Sequence, residues 1–365
     1  MDKSKNNTNK KAIAYVLGTK AMFIKTKYII KNLEEANIDL IVLDTGQHKE
    51  ITSKEIKNLE NDYQIIDITK SDANVSSIFK MIMWFFSFTF SGKKNKKLEN
   101  LDYCLLHGDT VSTLMGLIYA KKNKLKTIHV EAGYRSKNYL RPFPEELIRG
   151  IVTHFSDVLV VDGNEQYANV KKYENNKKII KISRNTIFDA VSNEVRNISK
   201  NELNQLTITI HRTENIYNKK SFDSLILLIN KILEKNTFDN VKWFCHDVTI
   251  SALEKRNIKE PLENSGVLLS PLLPYQDFIN EIYNSKAVIT DGGSIAEECS
   301  ILNIKTLVWR DVIEHQGITG DNLFLSNYNI KNSINFLTTD TKNKKVVQKY
   351  STPSQELVDK LLEII

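Results

Sequence analysis

His107-Gly108-Asp109-Thr110 is answered about twenty residues later by His129-Val130-Glu131-Ala132-Gly133-Tyr134-Arg135. The apolar run Tyr103-Cys104-Leu105-Leu106 leads into the first stretch and Thr127-Ile128 into the second, while Ser112 to Lys122 between them has helical periodicity. Strand, helix, strand, with a carboxylate and a small residue at each strand end, is the arrangement in which an open parallel sheet gathers its ligand-binding groups. This predicts that Asp109 and Glu131 project into one crevice.

Working outward, the same alternation repeats. Ala12 to Leu17 reads as a strand ended by Gly18-Thr19, and a helix runs from about Phe23 to Ala36. Lys20 and Lys25 flank that turn, where a glycine and a helix N-terminus suit an anion. Leu40 to Asp44 is a second strand, followed by Thr45-Gly46-Gln47-His48-Lys49-Glu50, and Asp157 to Val161 a further one. Pro144-Glu145-Glu146 opens a helix behind Arg141-Pro142-Phe143, and Glu145 and Arg149, four apart, share a helical face. From Tyr167 to Lys200 the chain is polar and rich in Lys and Asn, which suits a domain junction.

A second alternating set follows. Gln205 to Ile210 is a strand ending in His211-Arg212, Val241 to Cys245 a strand ending in His246-Asp247, and Ala287 to Thr290 a strand ending in Asp291-Gly292-Gly293-Ser294. Helices are expected over Phe222 to Ile232, Tyr275 to Ser285 and Ile295 to Ile301, and short strands over Val267 to Ser270 and Lys305 to Trp309. Glycines at a strand-to-helix turn leave room for a diphosphate at the helix N-terminus, and the carboxylates Glu297-Glu298 one turn on can take ribose hydroxyls. A last helix, Gln355 to Ile364, crosses back to the first set. The expected fold class is α/β: two Rossmann-like doubly wound domains with a central cleft, residues 12–182 with the C-terminal helix 352–365, and residues 183–351.

With 365 residues the chain fits two ordinary domains, and its net charge of +7 comes from lysines mixed with Asn and Ile throughout, so no nucleic-acid face is expected. Cys104, Cys245 and Cys299 stand singly without ligand spacing, and neither a metal nor a redox cofactor is called for. Met1 to Lys11 is polar and basic and reads as a disordered lead-in without an apolar core. Phe79, Met81, Ile82, Met83, Trp84, Phe85, Phe86 and Phe88 crowd one segment ahead of a lysine cluster. That pattern suits a helix buried against the sheet or in a homodimer contact, or a peripheral membrane contact through residues 78–97 of a cytoplasmic protein.

Taken together, Gly18-Thr19 with Lys25, Thr45-Gly46-Gln47-His48, His107 to Thr110, His129 to Gly133, Arg135, Pro144 to Glu146 with Arg149, Asn185-Thr186-Ile187, His211-Arg212 and Glu297-Glu298 make the chain similar to the UDP-N-acetylglucosamine 2-epimerase family, over roughly Ala12 to Ile330. The resemblance implies a glycosyltransferase-B-like fold and a UDP-N-acetylhexosamine substrate. It also implies inversion at C2 by elimination and return of UDP or water, in surface-polysaccharide synthesis. It places Asp109, Glu131 and Glu145 at the reacting sugar with His211 and Lys25 nearby, and Asp109 and Glu131 share the base and acid roles. Gly18, Lys20, Arg135, Arg149, Arg212, His246, Gly292, Gly293, Ser294 and Glu298 are the expected substrate-binding residues, with Glu298 at the ribose.

Some positions depart from the family pattern. Lys20-Ala21-Met22 stands where Arg-Pro-Glu is usual, and Gly292-Gly293-Ser294 where Ser-Gly-Gly is usual. Gln47-His48-Lys49-Glu50 and Glu314-His315-Gln316-Gly317 lack the arginines associated with activation by a second substrate molecule, and lysine does not supply their bidentate fork. The rival expectation is a glycosyltransferase of the same fold that passes the sugar to a membrane- or lipid-linked acceptor, which the aromatic segment favours.

Overall fold

The computed structural model describes residues 11–47, 63–69, 84, 85, 88, 95–136, 144–196, 201, 203–311, 322–339 and 352–365. The lead-in before Lys11, His48-Lys49-Glu50, most of residues 78–97, Arg141-Pro142-Phe143 and Glu314 to Gly317 lie outside the described residues. The chain divides into two compact units: Met1–Ala190 with Ser351–Ile365, and Val191–Tyr350.

The first unit is built on a parallel sheet of seven strands, in the order β3-β2-β1-β4-β5-β6-β7. They are β1 (Ala12–Leu17), β2 (Asp39–Asp44), β3 (Gln64–Asp67), β4 (Tyr103–His107), β5 (Lys126–Val130), β6 (Val158–Val161) and β7 (Lys178–Lys181). The near-continuous apolar runs of β1, β4 and β6 follow from burial on both faces by flanking helices. Chain order reverses between β1 and β4, whose neighbouring residues Tyr15 and Leu105 pair. At such a switch point the loops leaving the two strands run in opposite directions and open a crevice at the carboxyl ends.

The helix expected from Phe23 starts earlier, at Lys20, because the Thr19 hydroxyl accepts from Met22 N at 3.2 Å and caps it. Its buried face carries Phe23, Ile29, Ile30 and Leu33 into one core with Leu357, Val358 and Leu361 of the C-terminal helix Pro353–Leu362. That helix is tied in by Ser354 N donating to Asp189 Oδ2 at 2.7 Å and Ser183 N to Glu356 Oε2 at 2.8 Å. The polar stretch read as a junction holds more structure than its composition suggests: the helix Asn164–Val170, β7 and the helix Ile187–Val195. The Trp84 and Phe88 side chains are buried with Leu98, Leu101 and Tyr119, and Trp84 Nε1 donates to Thr45 O at 3.2 Å. For these two aromatics the buried-helix alternative is the one realised.

The second unit repeats the plan with six parallel strands ordered β10-β9-β8-β11-β12-β13, namely β8 (Leu203–Thr209), β9 (Asn240–Cys245), β10 (Val267–Pro271), β11 (Ser285–Thr290), β12 (Lys305–Val308) and β13 (Leu323–Leu325). Its switch point lies between β8 and β11, where Thr209 pairs with Thr290. Leu206, Ile208, Trp243, Ile289 and Leu307 line its core beneath the helices. Both units are therefore doubly wound α/β structures. Among the described residues no helix is long and apolar enough to cross a membrane.

Because Leu357 is fully buried against the Lys20–Glu35 helix, Leu357→Ala is expected to destabilise the first unit by about 2–4 kcal/mol through lost burial and a residual cavity. A urea titration followed by circular dichroism reads this as a lower midpoint.

Candidate active site

In the first unit the polar chemistry collects beyond the carboxyl ends of β1, β4, β5 and β6. Gly18 leaves β1 where any side chain would collide: an added Cβ would lie 2.0 Å from Ser112 Oγ and 2.5 Å from Thr45 Oγ1. Those two hydroxyls bond each other at 2.8 Å, and Ser112 Oγ donates to Gln47 Oε1 at 2.5 Å. The glycine therefore makes room for this hydroxyl pair in addition to shaping the turn. Lys20 opens the following helix, half-buried, and one turn further Lys25 is buried and donates from Nζ to Glu131 Oε1 at 2.6 Å.

Asp109 leaves β4 just before the helix Val111–Lys122, which Thr110 caps in a reciprocal bond with Thr113. About a quarter of its side chain stays exposed, and it forms an ion pair with Nη2 of the buried Arg149. Burial pushes the Asp109 carboxyl above its ordinary range, with the Arg149 charge opposing and the Glu131 charge adding to the rise.

Glu131 ends β5 on a left-handed backbone, φ 66°. Besides Lys25, its Oε1 accepts from Asn185 Nδ2 at 2.6 Å and lies 3.7 Å from His107 Nε2. Gly133 follows at φ 87°, and a Cβ there would come within 2.3 Å of Gln166 O, so the turn that aims Glu131 tolerates glycine alone.

The helix Glu145–Phe155 supplies the guanidinium. Arg149 Nη1 donates to Glu146 Oε2 at 2.8 Å, an i,i+3 contact, and Arg135 Nε reaches Glu146 Oε1 at 2.5 Å. Burial raises the Glu146 carboxyl, but the Ser136 N–H and the two arginines outweigh it and hold the group below its usual range. Glu146 is thus the buried anchor that orients both arginines. Glu145, half-buried, opens the same helix.

His107 and His129 lie beneath these carboxylates. His129 Nε2 bonds Gly108 O at 2.9 Å and its Nδ1 faces Thr153 Oγ1 at 3.4 Å. The carbonyl contact needs a proton on Nε2. Burial pushes both histidines down to about 4.

The second unit carries its own set at the β8/β11 switch point. Asp291, fully buried after β11, accepts from His211 N at 3.1 Å, Arg212 N at 2.9 Å and Asn215 Nδ2 at 3.0 Å, and so ties the two strand ends together. His211 Nδ1 lies 3.3 Å from Asp291 Oδ1, and its ring packs on that of His246 with centroids 4.6 Å apart. Burial lowers both imidazoles, and His246 is lowered further by His211.

The helix expected from Ile295 begins at Gly293, so Gly293 and Ser294 form its first turn with Gly292 as N-cap. Gly292 has no side chain to cap that end; its own N–H donates to Thr290 Oγ1 at 3.0 Å, and the N–H groups that follow suit an anion. Glu297 and Glu298 are buried one turn in. Arg212 contacts Glu214 at 3.4 Å. Among the described residues no group of three or more His, Cys, Asp or Glu side chains is placed to hold a metal ion.

The structure thus brings together Lys25, Asp109, Glu131, Arg149 and, through Glu146, Arg135; in the second unit it brings together His211, His246, Arg212, Gly292, Gly293 and Ser294. Sequence reading did not single out Glu146, Asp162, Asn185 or Asp291 as site residues. Asn185 stood in a motif and Asp291 at a strand end, the signals that could have found them.

Polar chemistry at the switch point of each of two doubly wound units is the ligand-binding arrangement of open α/β sheets. A profile of the UDP-N-acetylglucosamine 2-epimerase family matches residues 31–355, and the chain belongs to that family. It is 29% identical over 320 residues to the UDP-N-acetylglucosamine 2-epimerase of Methanocaldococcus jannaschii, covering 83% of this chain and 84% of the relative. It is 26% identical over 368 residues to the Bacillus subtilis enzyme of the same name, covering 95% and 94%. Its fold is similar to that of the M. jannaschii epimerase in complex with UDP-GlcNAc and UDP, with a TM-score of 0.77 at 24% identity over 96% of this chain and 99% of that one.

The buried neutral histidines make stability pH-dependent with a definite sign. Unfolded, His129 protonates near its ordinary 6.5, and folded only near 4. The unfolded state therefore takes up the proton first as pH falls. The stability is fully present above about 6.5 and is lost through about 4, by about 3 kcal/mol per histidine. His129→Gln, which keeps an N–H donor without titrating, is expected to flatten that loss in urea titrations across the same window.

Proposed function

We infer that this protein is a UDP-N-acetylglucosamine 2-epimerase, an isomerase inverting C2 of the UDP-bound N-acetylhexosamine. The gathering of Asp109, Glu131, Lys25 and Arg149 at the β4 and β5 tips carries the reading, in a chain that belongs to the family along most of its length. The C2 proton is not acidic while C1 is an acetal carbon, so inversion proceeds by elimination. A base takes the C2 proton as the C1–O bond to UDP breaks, leaving a 2-acetamidoglucal with a C1–C2 double bond. A proton then returns to the opposite face of C2 and UDP returns to C1. Return of water instead would release the free sugar.

Several of these groups have work in that sequence. Glu131, held in place by Lys25 and Asn185, is positioned as the proton acceptor, and Asp109, raised by burial, is suited to hold a proton for delivery. Positive charge building at C1 is eased by the neighbouring carboxylates. Within the second unit, the N–H groups at the helix start Gly293-Ser294 suit the diphosphate of a UDP-sugar. A transferase that merely moves the sugar to an acceptor has no use for a base at C2.

The test is incubation with UDP-N-acetylglucosamine in heavy water. Deuterium is expected at C2 of both epimers, read by NMR. No exchange in a protein that binds UDP, with sugar transfer on adding a lipid-linked acceptor, would replace the epimerase by the transferase. Glu131→Gln and Asp109→Asn are each expected to lower kcat by roughly 10²–10⁴-fold, the usual worth of a positioned acid or base. UDP affinity, measured by calorimetry, should change little.

A further inference from the structure

Behind Glu131 the ends of β5 and β6 bring in a second carboxylate that the reaction above leaves without a role. Asp162 follows β6. Its Oδ2 accepts from the Tyr134 hydroxyl at 2.7 Å and from Asn185 Nδ2 at 2.9 Å, while its Oδ1 is buried without a hydrogen-bond partner among the described residues. The Asn185 amide cannot be turned the other way round. Its Oδ1 accepts from Ile187 N at 2.9 Å, at the start of the helix Ile187–Val195, so its NH₂ group must face the carboxylates. That one NH₂ group bridges Glu131 Oε1, at 2.6 Å, and Asp162 Oδ2.

The bridge couples two charges that repel each other. Burial raises the Asp162 carboxyl to about 6, helped by the Glu131 charge and opposed by Tyr134, Asn185 and Lys25. Lys25 comes from the Lys20–Glu35 helix, His107 and Asp109 from the end of β4, His129 from β5, and Glu131 and Tyr134 from the turn after it. With both histidines held neutral, Lys25 is the cation among these groups that offsets the two carboxylates. When Asp162 is ionised, its charge and its claim on the shared amide make Glu131 hold a proton more tightly and act as a stronger base. When a solvent proton settles on Asp162, the amide turns its dipole wholly to Glu131, which becomes a weaker base.

We propose that Asp162 is a positioning residue for the epimerase reaction, which sets the proton affinity of Glu131 through the Asn185 amide they share. The proposal rests on the epimerase reading, but its physical core is the coupling of two titrations, which can be observed without turnover.

The experiment is carbon-13 NMR of the whole protein labelled at its aspartate and glutamate carboxyls, titrated from about pH 9 down to the acid limit of the fold, about pH 3. Wild type, Asp162→Asn and Tyr134→Phe are compared, with Glu131→Gln to assign its resonance. One aspartate signal, absent in Asp162→Asn, should titrate near 6. In Asp162→Asn the Glu131 signal should titrate lower by on the order of one pH unit, and in Tyr134→Phe, which removes one donor from Asp162, the Asp162 signal should titrate higher by a similar amount.

In turnover, the wild-type kcat should carry an inflection near Asp162's own titration that Asp162→Asn abolishes, with KM within about threefold. A merely structural Asp162 would lower kcat evenly at every pH. A Glu131 titration unmoved in folded Asp162→Asn overturns the proposal, as does an unchanged kcat profile. Should that variant not fold, a Glu131 signal in Tyr134→Phe that shows no inflection where Asp162 titrates overturns it instead. Absence of turnover in a wild type whose two carboxyls still titrate together refutes the epimerase reading and leaves the coupling standing.

Discussion

Ending β5 on a glutamate in left-handed backbone is the constraint around which the first unit's site is arranged. That conformation costs a side-chain-bearing residue about 1–2 kcal/mol, and it persists only where its surroundings determine it. Here they do. Gly133 lets the turn pass within van der Waals reach of Gln166 O, while Lys25 and Asn185 grip the carboxylate itself. In an extended conformation Glu131 would continue the alternation of β5 and point to one face of the sheet. In the left-handed one it leaves the sheet at its carboxyl edge, beside the residues that leave β4.

The sheet order decides what else can be there. Placing β1 next to β4 brings Gly18, Lys25, Asp109 and Glu131 within one crevice although more than a hundred residues separate the first from the last. Arg149 then has two duties on one guanidinium: one edge is fixed by the buried Glu146 and the other meets Asp109. A planar fork suits that double contact and a lysine would not. Glu146 gains from the arrangement as well, because a carboxylate buried without such donors would take up a proton and release both arginines.

Most of this was legible where burial leaves a local trace. Strands covered on both faces read as apolar runs, so β1, β2, β4, β6, β8, β9 and β11 stand out, and the residues just past their ends are the candidate site. Edge strands leave little trace: Gln64–Asp67 exposes three of its four residues, and Lys178–Lys181 begins and ends on an exposed lysine, so neither shows the expected run. Helical spacing puts residues three and four before Arg149 on its own face. Periodicity therefore does not single out Glu146, whose buried carboxylate contacts Arg149 at 2.8 Å. Asp162, Asn185 and Asp291 act through partners 23 to 80 residues away, a distance at which spacing carries no information.

Gly18 shows why a motif and its physical cause need separate arguments. A glycine between a strand and a helix suggests an approach of backbone to phosphate, yet the space a side chain would take here is filled by the Thr45 and Ser112 hydroxyls. The corresponding turn of the second unit differs. Gly292 is the N-cap of a helix and brings no side chain to its N–H groups, and the carboxylate beside it, Asp291, is spent on the backbone N–H groups of His211 and Arg212. With that charge satisfied inward, the helix start keeps its positive end for an incoming anion. The two turns resemble each other in sequence, but hydroxyls fill the space at the first, while the second sets helix N–H dipoles at the strand end.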